Sequence, residues 1–163
     1  MEAKLTTLCY LQQQDEWLML NRNKKAKDDN WGKWIGVGGK FLSKESPEEC
    51  MRREVREETG FLVTKWAFRG IVTFVSDCCP VEYMHLFTVS QWQGEQQDCT
   101  EGELKWVKEK DLFSLSLWEG DKIFLRLLRE NHPFFSLKLV YQGDVLQEAA
   151  LDGFPLAIKK RGK

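Results

Sequence analysis

Residues 39–61, GKFLSKESPEECMRREVREETGF, decide how the rest of the chain is read. The middle of this stretch carries the marks of a helix. Ser46 suits an N-cap, Pro47 fits the first helical position where its missing N–H costs nothing, and Glu49 completes a capping box three residues after the cap. Gly60 supplies the stop. At 3.6 residues per turn, Glu54, Glu57 and Glu58 stand at i, i+3 and i+4, so their carboxylates share one face near the helix end.

That placement works against the helix. Like charges at i, i+4 cost roughly 0.2–0.5 kcal/mol per pair, and acids in the last turn oppose the negative end of the dipole by about 0.3–1 kcal/mol each. One reading is a solvated charged helix, since Glu49 with Arg53 and Arg53 with Glu57 form i, i+4 ion pairs. The other is a metal site: hard divalent cations take oxygen ligands, and Mg²⁺ prefers one or two carboxylates with waters and substrate phosphates. The longer pattern favours the metal. With each residue type at about 6% of average composition, its seven fixed polar or glycine positions coincide by chance on the order of 10⁻⁹ per starting point.

Gly39, Glu45 and the run Arg53-Glu54-Val55-Arg56-Glu57-Glu58-Thr59-Gly60-Phe61 match the Nudix box, G-x5-E-x7-R-E-U-x-E-E-x-G-U with U apolar, at every position. The chain therefore resembles the Nudix hydrolases. The resemblance implies an α/β (α+β) fold, an α/β/α sandwich around a mixed central sheet, whose box binds Mg²⁺, with Mn²⁺ as a substitute, and hydrolyses a nucleoside diphosphate linked to another group. By position it implies that Glu54, Glu57 and Glu58 bind the metal, that Glu54 also handles the attacking water, and that Arg53 orients the glutamates. It further implies a metal-binding carbonyl at Gly38 and a structural role for Glu45.

Upstream, Trp34-Ile35-Gly36-Val37-Gly38-Gly39-Lys40 is rich in glycine, which lets backbone groups approach a phosphate or metal closely; an ordinary glycine-rich turn is the alternative. This stretch resembles the MutT-like branch that cleaves oxidised purine nucleoside triphosphates. Residues 117–121, LWEGD, resemble the base-binding stretch of the mammalian 8-oxo-dGTP-cleaving enzymes, where a Trp stacks on the purine and an acid reads its edge. Here these would be Trp118 and Asp121, or else a core Trp and a helix N-terminal acid. The chain departs in having Gly120 where the mammalian pattern has an adjacent acid, and Ile35 where it has a base-contacting Asn. Over its whole length it is similar to bacterial MutT-type proteins of the MutX kind. Gly39 and Lys40 fall in the substrate-binding stretch, Arg22 is placed like a phosphate-binding Arg, and Glu101 like a loop glutamate that binds a second metal or activates water.

The expected activity is hydrolysis of oxidised purine nucleoside triphosphates such as 8-oxo-dGTP to monophosphate and pyrophosphate, as nucleotide-pool sanitation serving DNA repair. Hydrolysis of ADP-ribose or a dinucleoside polyphosphate, and a catalytically silent nucleotide sensor, are the alternatives.

The 163 residues suit one domain, 1–163, with 24 Lys and Arg against 25 Asp and Glu. A net charge of −1 gives no sign of a nucleic-acid polymer or membrane surface as partner. No signal sequence or 18-residue apolar run is evident, so a cytoplasmic monomer or homodimer acting on a small nucleotide is expected. The five cysteines lack paired C-x-x-C spacing, and Cys78, Cys79 and His85 make a poor zinc set. The closing run 159–163 reads as a solvated tail.

Apolar, β-branched or aromatic runs place strands at 4–11 and 16–22, antiparallel to each other, then at 61–75, 82–92 and 103–107. Residues 23–30 read as a loop. Ile123, Phe124, Leu127 and Leu128 form a helical stripe within 120–129, and 134–141 with 145–151 form a hairpin around Gly143.

Overall fold

The computed structural model describes residues 1–25, 28 and 30–158. The chain runs β1 (Ala3–Gln13), β2 (Glu16–Asn21), β3 (Trp34–Ile35), β4 (Val37–Lys40), α1 (Pro47–Thr59), β5 (Leu62–Ser76), β6 (Val81–Gln93) and β7 (Glu103–Lys108). A 3-10 helix (Glu109–Ser114), α2 (Glu119–Arg129), β8 (Phe135–Gln142), β9 (Val145–Leu151) and β10 (Phe154–Leu156) complete it. The expected strands and both helices are present within a residue or two. Part of the expected loop 23–30, and the tail 159–163, lie outside the described residues.

The sheet is mixed, in the order β10-β9-β8-β5-β6-β1-β2-β3, with β4 added to β1 and β7 to β2. β1 links its two parts. Ala3 to Leu11 pair in parallel with β6, Thr6 to Cys9 pair antiparallel with β4, and only Gln12 and Gln13 reach β2 as the expected hairpin. The glycine-rich stretch at 34–40, for which an ordinary turn is the alternative reading, is therefore two short strands, with Leu8 opposite Gly38 and Thr7 opposite Gly39.

Period-two alternation sends successive side chains to opposite faces, and each face is covered by one helix. Cys9, Leu11, Leu18, Leu20 and Val37 meet Met51 and Val55 of α1. Leu8, Tyr10, Trp17, Met19 and Leu86 meet Phe124, Leu125 and Leu128 of α2. Each such side chain, fully buried, is worth about 1.5–3 kcal/mol, so the two faces anchor α1 and α2 independently of their termini. The result is the α/β/α sandwich, with the box on one face and residues 118–121 on the other.

Candidate functional site

The termini of α1 follow the capping signals. Ser46 Oγ accepts from the Glu49 N–H, Glu49 Oε1 accepts from the Ser46 N–H, and Gly60 ends the helix at φ 83°, a left-handed conformation that glycine takes without strain. These caps fix the rotation of α1, and its polar face turns towards β4.

There the Glu54 carboxyl packs on the Gly39 backbone so closely that a Cβ at residue 39 would lie 2.5 Å from Glu54 Cδ. Only glycine leaves that room. Arg53 binds the acids into one network: it donates to Glu45 at 2.7 and 2.9 Å, to Glu54 Oε1 at 2.7 Å, to Glu57 Oε2 at 3.3 Å and to the Lys40 carbonyl at 2.9 Å. Glu45 in turn accepts from the Leu42 N–H, which ties the loop between β4 and α1 to the helix. The Glu45 carboxyl is held below its usual range, first by the Arg53 hydrogen bond, and Arg53 is driven further into its charged form by Glu45 and Glu54. Network and loop are one unit.

Glu58 stands apart from Arg53. It is 8% exposed, and Oε2 accepts from the Gly38 N–H at 3.0 Å. Burial pushes its carboxyl up to about 8; Glu54 and Glu101 add to this, while the Gly38 N–H and Arg22 oppose it. Glu54 is also raised, chiefly by burial, against the pull of Arg53. Glu57 keeps most of its side chain, 60%, in solvent. Arg22 and Glu101 come together beside Glu58 as an ion pair of 2.9 Å, with Asp28 also on Arg22 and Lys25 also on Glu101.

Among the described residues no three His, Cys, Asp or Glu side chains are gathered closely enough to hold a metal ion. The donor set is nonetheless all oxygen, and a buried acid beside two others with one guanidinium at hand is short of positive charge. A hard divalent ion that keeps waters and phosphates in its shell fits such an open set. The zinc alternative does not form: His85 places Nδ1 3.0 Å from the Thr6 carbonyl and its ring against Phe41 and Phe68, while Cys78 and Cys79 are exposed on the β5–β6 turn.

On the other face, Trp118 is the N-cap residue of α2. Its Nε1 donates to Asn30 Oδ1 at 2.8 Å, Lys33 Nζ lies 5.1 Å from the ring centroid, and Tyr141 meets it edge-on at 5.9 Å. Tyr141 accepts from the Gly120 N–H and stacks on Phe74 at 4.9 Å. Asp121, in the first turn, is 7% exposed; its carboxyl accepts no hydrogen bond among the described residues, but its oxygens are not sealed off as the unpaired Tyr10 hydroxyl and Asn21 Oδ1 are. Burial pushes it up to about 7; Lys33 pulls against this and Glu82 adds to it. Trp118 and Asp121 begin α2, as one of the two readings of 117–121 expects, and Lys33, Tyr141 and Glu82 lie around them.

Trp34, Phe74 and Met84 pack on the same cluster. Ile35 is not brought there: it pairs with Leu20, whose side chain faces α1, and alternation turns it away from Trp34. Lys40 is exposed and enters the network through its carbonyl.

Sequence reasoning missed Glu82, Lys33 and Asn21. Glu82 Oε2 accepts from Thr6 Oγ1 at 2.7 Å, and its charge on β6 is close enough to Asp121 to push that carboxyl up. Nothing local marks it. Asn21 carries a buried Oδ1 without a partner and pairs with Trp34; a polar residue closing the apolar run 17–20 was the signal for it.

Residues 3–128 match the family model described as the NUDIX domain. The Nudix hydrolase YvcI of Bacillus subtilis is 32% identical over 120 residues, 71% of this chain and 72% of that protein. The oxidized purine nucleoside triphosphate hydrolase of Danio rerio is 28% identical over 152 residues, 92% of this chain and 95% of that protein. Among solved structures, the MutT mutator protein of Bacillus halodurans superposes with a TM-score of 0.83 at 26% identity, over 93% of this chain and 99% of that one.

Proposed function

Because the chain belongs to the Nudix hydrolase family, we propose that it carries out Mg²⁺-dependent hydrolysis of oxidised purine nucleoside triphosphates such as 8-oxo-dGTP, releasing the monophosphate and pyrophosphate. Its place would be the cytoplasmic nucleotide pool, upstream of DNA repair. The observation that carries the base assignment is Asp121, a residue 7% exposed near the Trp118 indole whose carboxyl accepts no hydrogen bond among the described residues.

A hydrogen bond is worth about 0.5–1.5 kcal/mol net, so a ligand that bonds to this carboxyl gains that much over one that does not. A carbonyl at C8 turns purine N7 from an acceptor into an N–H donor. A carboxylate accepts from that N–H, and the protonated acid donates to a neighbouring carbonyl; a group held near 7 can supply either form. Glu82 favours the protonated form, and Trp118 offers a stacking surface worth roughly 1–3 kcal/mol for any base. The indole gives affinity, and the acid gives preference.

On the box side, Glu54, Glu57, Glu58, the Gly38 carbonyl and Glu101 would hold the metal, which supplies neutralisation of phosphate oxygens and a lowered pKa for bound water. Arg53 fixes Glu54 and Glu57, so neither swings when a polyphosphate enters. Glu54, raised by burial but clamped by Arg53, is the group placed to take the proton of the attacking water. Arg22, Lys40 and the Gly39 backbone line the approach of the phosphates. No covalent nucleophile is involved.

The test is a nucleotide panel with Mg²⁺ in which pyrophosphate and orthophosphate are followed separately. Pyrophosphate from 8-oxo-dGTP, in preference to dGTP, is the expected result. AMP from ADP-ribose in its place would move the substrate class, and binding without turnover would make the chain a sensor.

A further inference from the structure

The turn between β5 and β6 carries two adjacent exposed thiols. Cys78 and Cys79 place their Sγ atoms 2.7 Å apart, and Cys78 Sγ also lies 3.7 Å from Ser76 Oγ. The other three cysteines, Cys9, Cys50 and Cys99, are buried. Neither the polyphosphate nor the base site uses the pair.

We propose that Cys78 and Cys79 form a reversible oxidation site that closes a disulfide between neighbouring residues when a peroxide is present. The balance is simple. The Cys78 thiolate attacks one peroxide oxygen, the O–O bond breaks, and the departing hydroxide takes a proton to leave as water, which leaves a sulfenic acid. The Cys79 thiolate then attacks that sulfur, the S–S bond forms, the S–O bond breaks, and a second water departs. Two thiols lose two electrons and the peroxide gains them.

Two observations support closure. The second thiol is already within a fraction of an ångström of bonding range, since a disulfide bond is about 2.05 Å long. Cys78 is drawn below the usual thiol range, first by its hydrogen bond with Cys79 and then by Ser76, which favours the thiolate that reacts. Closure is also easily undone. Adjacent Cα atoms stand about 3.8 Å apart across a trans peptide, short of the roughly 4.4–6.8 Å that disulfides prefer, and strained, exposed disulfides are the readily reduced ones.

The turn is coupled to Trp118 through named contacts. Asp77 Oδ1 accepts from the Gly143 N–H, Ser76 pairs with Tyr141, and Tyr141 touches both Phe74 and Trp118. Closing the ring between residues 78 and 79 reshapes the turn at the end of that chain of contacts. The consequence for the nucleotide rests on the reading given above; the thiol chemistry does not.

The experiment treats the full protein with hydrogen peroxide, follows intact mass and mapped peptides, and then adds dithiothreitol. Loss of two hydrogens from the peptide holding both residues, reversed by dithiothreitol and absent in Cys79→Ser, is the expected result. Sulfinic or sulfonic acid on Cys78, a disulfide between two molecules, or no reaction overturns the site. Oxidised protein is expected to show a several-fold higher nucleotide KM with little change in kcat, and an unchanged KM in fully closed protein overturns the coupling. Because mass is read without substrate, a wrong substrate assignment and a wrong thiol assignment give different failures.

Discussion

The two faces of the sheet treat buried carboxyl groups in opposite ways. Against α1, Glu45 and Glu54 are tied to Arg53 and the loop backbone, so the protein itself supplies nearly every partner. Against α2, the carboxyl of Asp121, a residue 7% exposed, accepts no hydrogen bond among the described residues and shares its surroundings with a second acid, Glu82. The first arrangement fixes geometry before substrate arrives, which suits the invariant diphosphate. The second leaves one interaction to be completed by the ligand, which suits discrimination among bases. Glu58 sits between these extremes, bonded to a backbone N–H yet pushed up to about 8.

The comparison is most strongly tested on the α1 face. Glu54→Gln or Glu57→Gln is expected to lower kcat by roughly 10²–10⁴-fold, the range of a lost general base or misplaced ligand. Thermal melting without metal should stay within a few degrees of the parent. Unchanged turnover at saturating Mg²⁺ would remove these residues from the chemistry. Chelation with EDTA is expected to abolish turnover and leave the far-ultraviolet circular dichroism intact.

Arg53→Ala should act on both stability and rate. It leaves Glu45 and Glu54 without their guanidinium, and for a side chain 22% exposed we expect a loss of about 2 kcal/mol in denaturant unfolding. Arg53→Lys cannot reproduce four acceptors at fork geometry and should recover little of it.

On the α2 face the expected signs differ. Asp121 carries a folded-state pKa of about 7 against an ordinary 3.8, so its ionisation is disfavoured in the fold. Its contribution is neutral below the unfolded value and becomes a growing cost as pH rises from about 4 to 7, reaching about 4 kcal/mol as an upper figure. Asp121→Asn should therefore unfold at higher denaturant than the parent at pH 8 and no higher at pH 4. The same variant should raise the KM for an oxidised purine nucleotide by up to roughly tenfold while sparing kcat.

Glu82→Gln is expected to have the smallest effect. Removing that charge lowers the Asp121 pKa, so the pH profile of kcat/KM for the oxidised nucleotide should shift to lower pH with a change of a few fold at its maximum. A profile that does not move would separate Glu82 from Asp121.

How far each face was legible in the sequence follows the same division. α1 is written in local signals: Ser46, Pro47, Glu49 and Gly60 determine its ends within thirteen helical residues, and i, i+4 spacing gives its acidic face. Of the Arg53 network only Glu57 follows from the same spacing: Glu49 caps Ser46 instead of pairing with Arg53, which reaches back to Glu45 and the Lys40 carbonyl. The α2 face depends on pairing across distant strands. Glu82 comes close to Asp121 because β1 runs parallel to β6 with Lys4 opposite Glu82, a register no local pattern encodes. Glycines dominate the stretch at 34–40 and hide its strands, since β1 supplies the edge on which 37–40 pairs and β2 the edge for 34–35. Pairing with Leu20 of β2 also directs Ile35 away from Trp118 and Asp121, beside which its sequence position places it. β3 and β10, at two and three residues, are too short to show alternation.

The most direct test of this division of labour is the ratio of kcat/KM for 8-oxo-dGTP to that for dGTP, measured with Mg²⁺ and pyrophosphate detection in the parent and in Asp121→Asn. The account predicts a parent ratio well above one that collapses towards one in the variant, with kcat for either nucleotide nearly unchanged. An equal ratio in both proteins, or a kcat that falls as far as it does in Glu54→Gln, would contradict it.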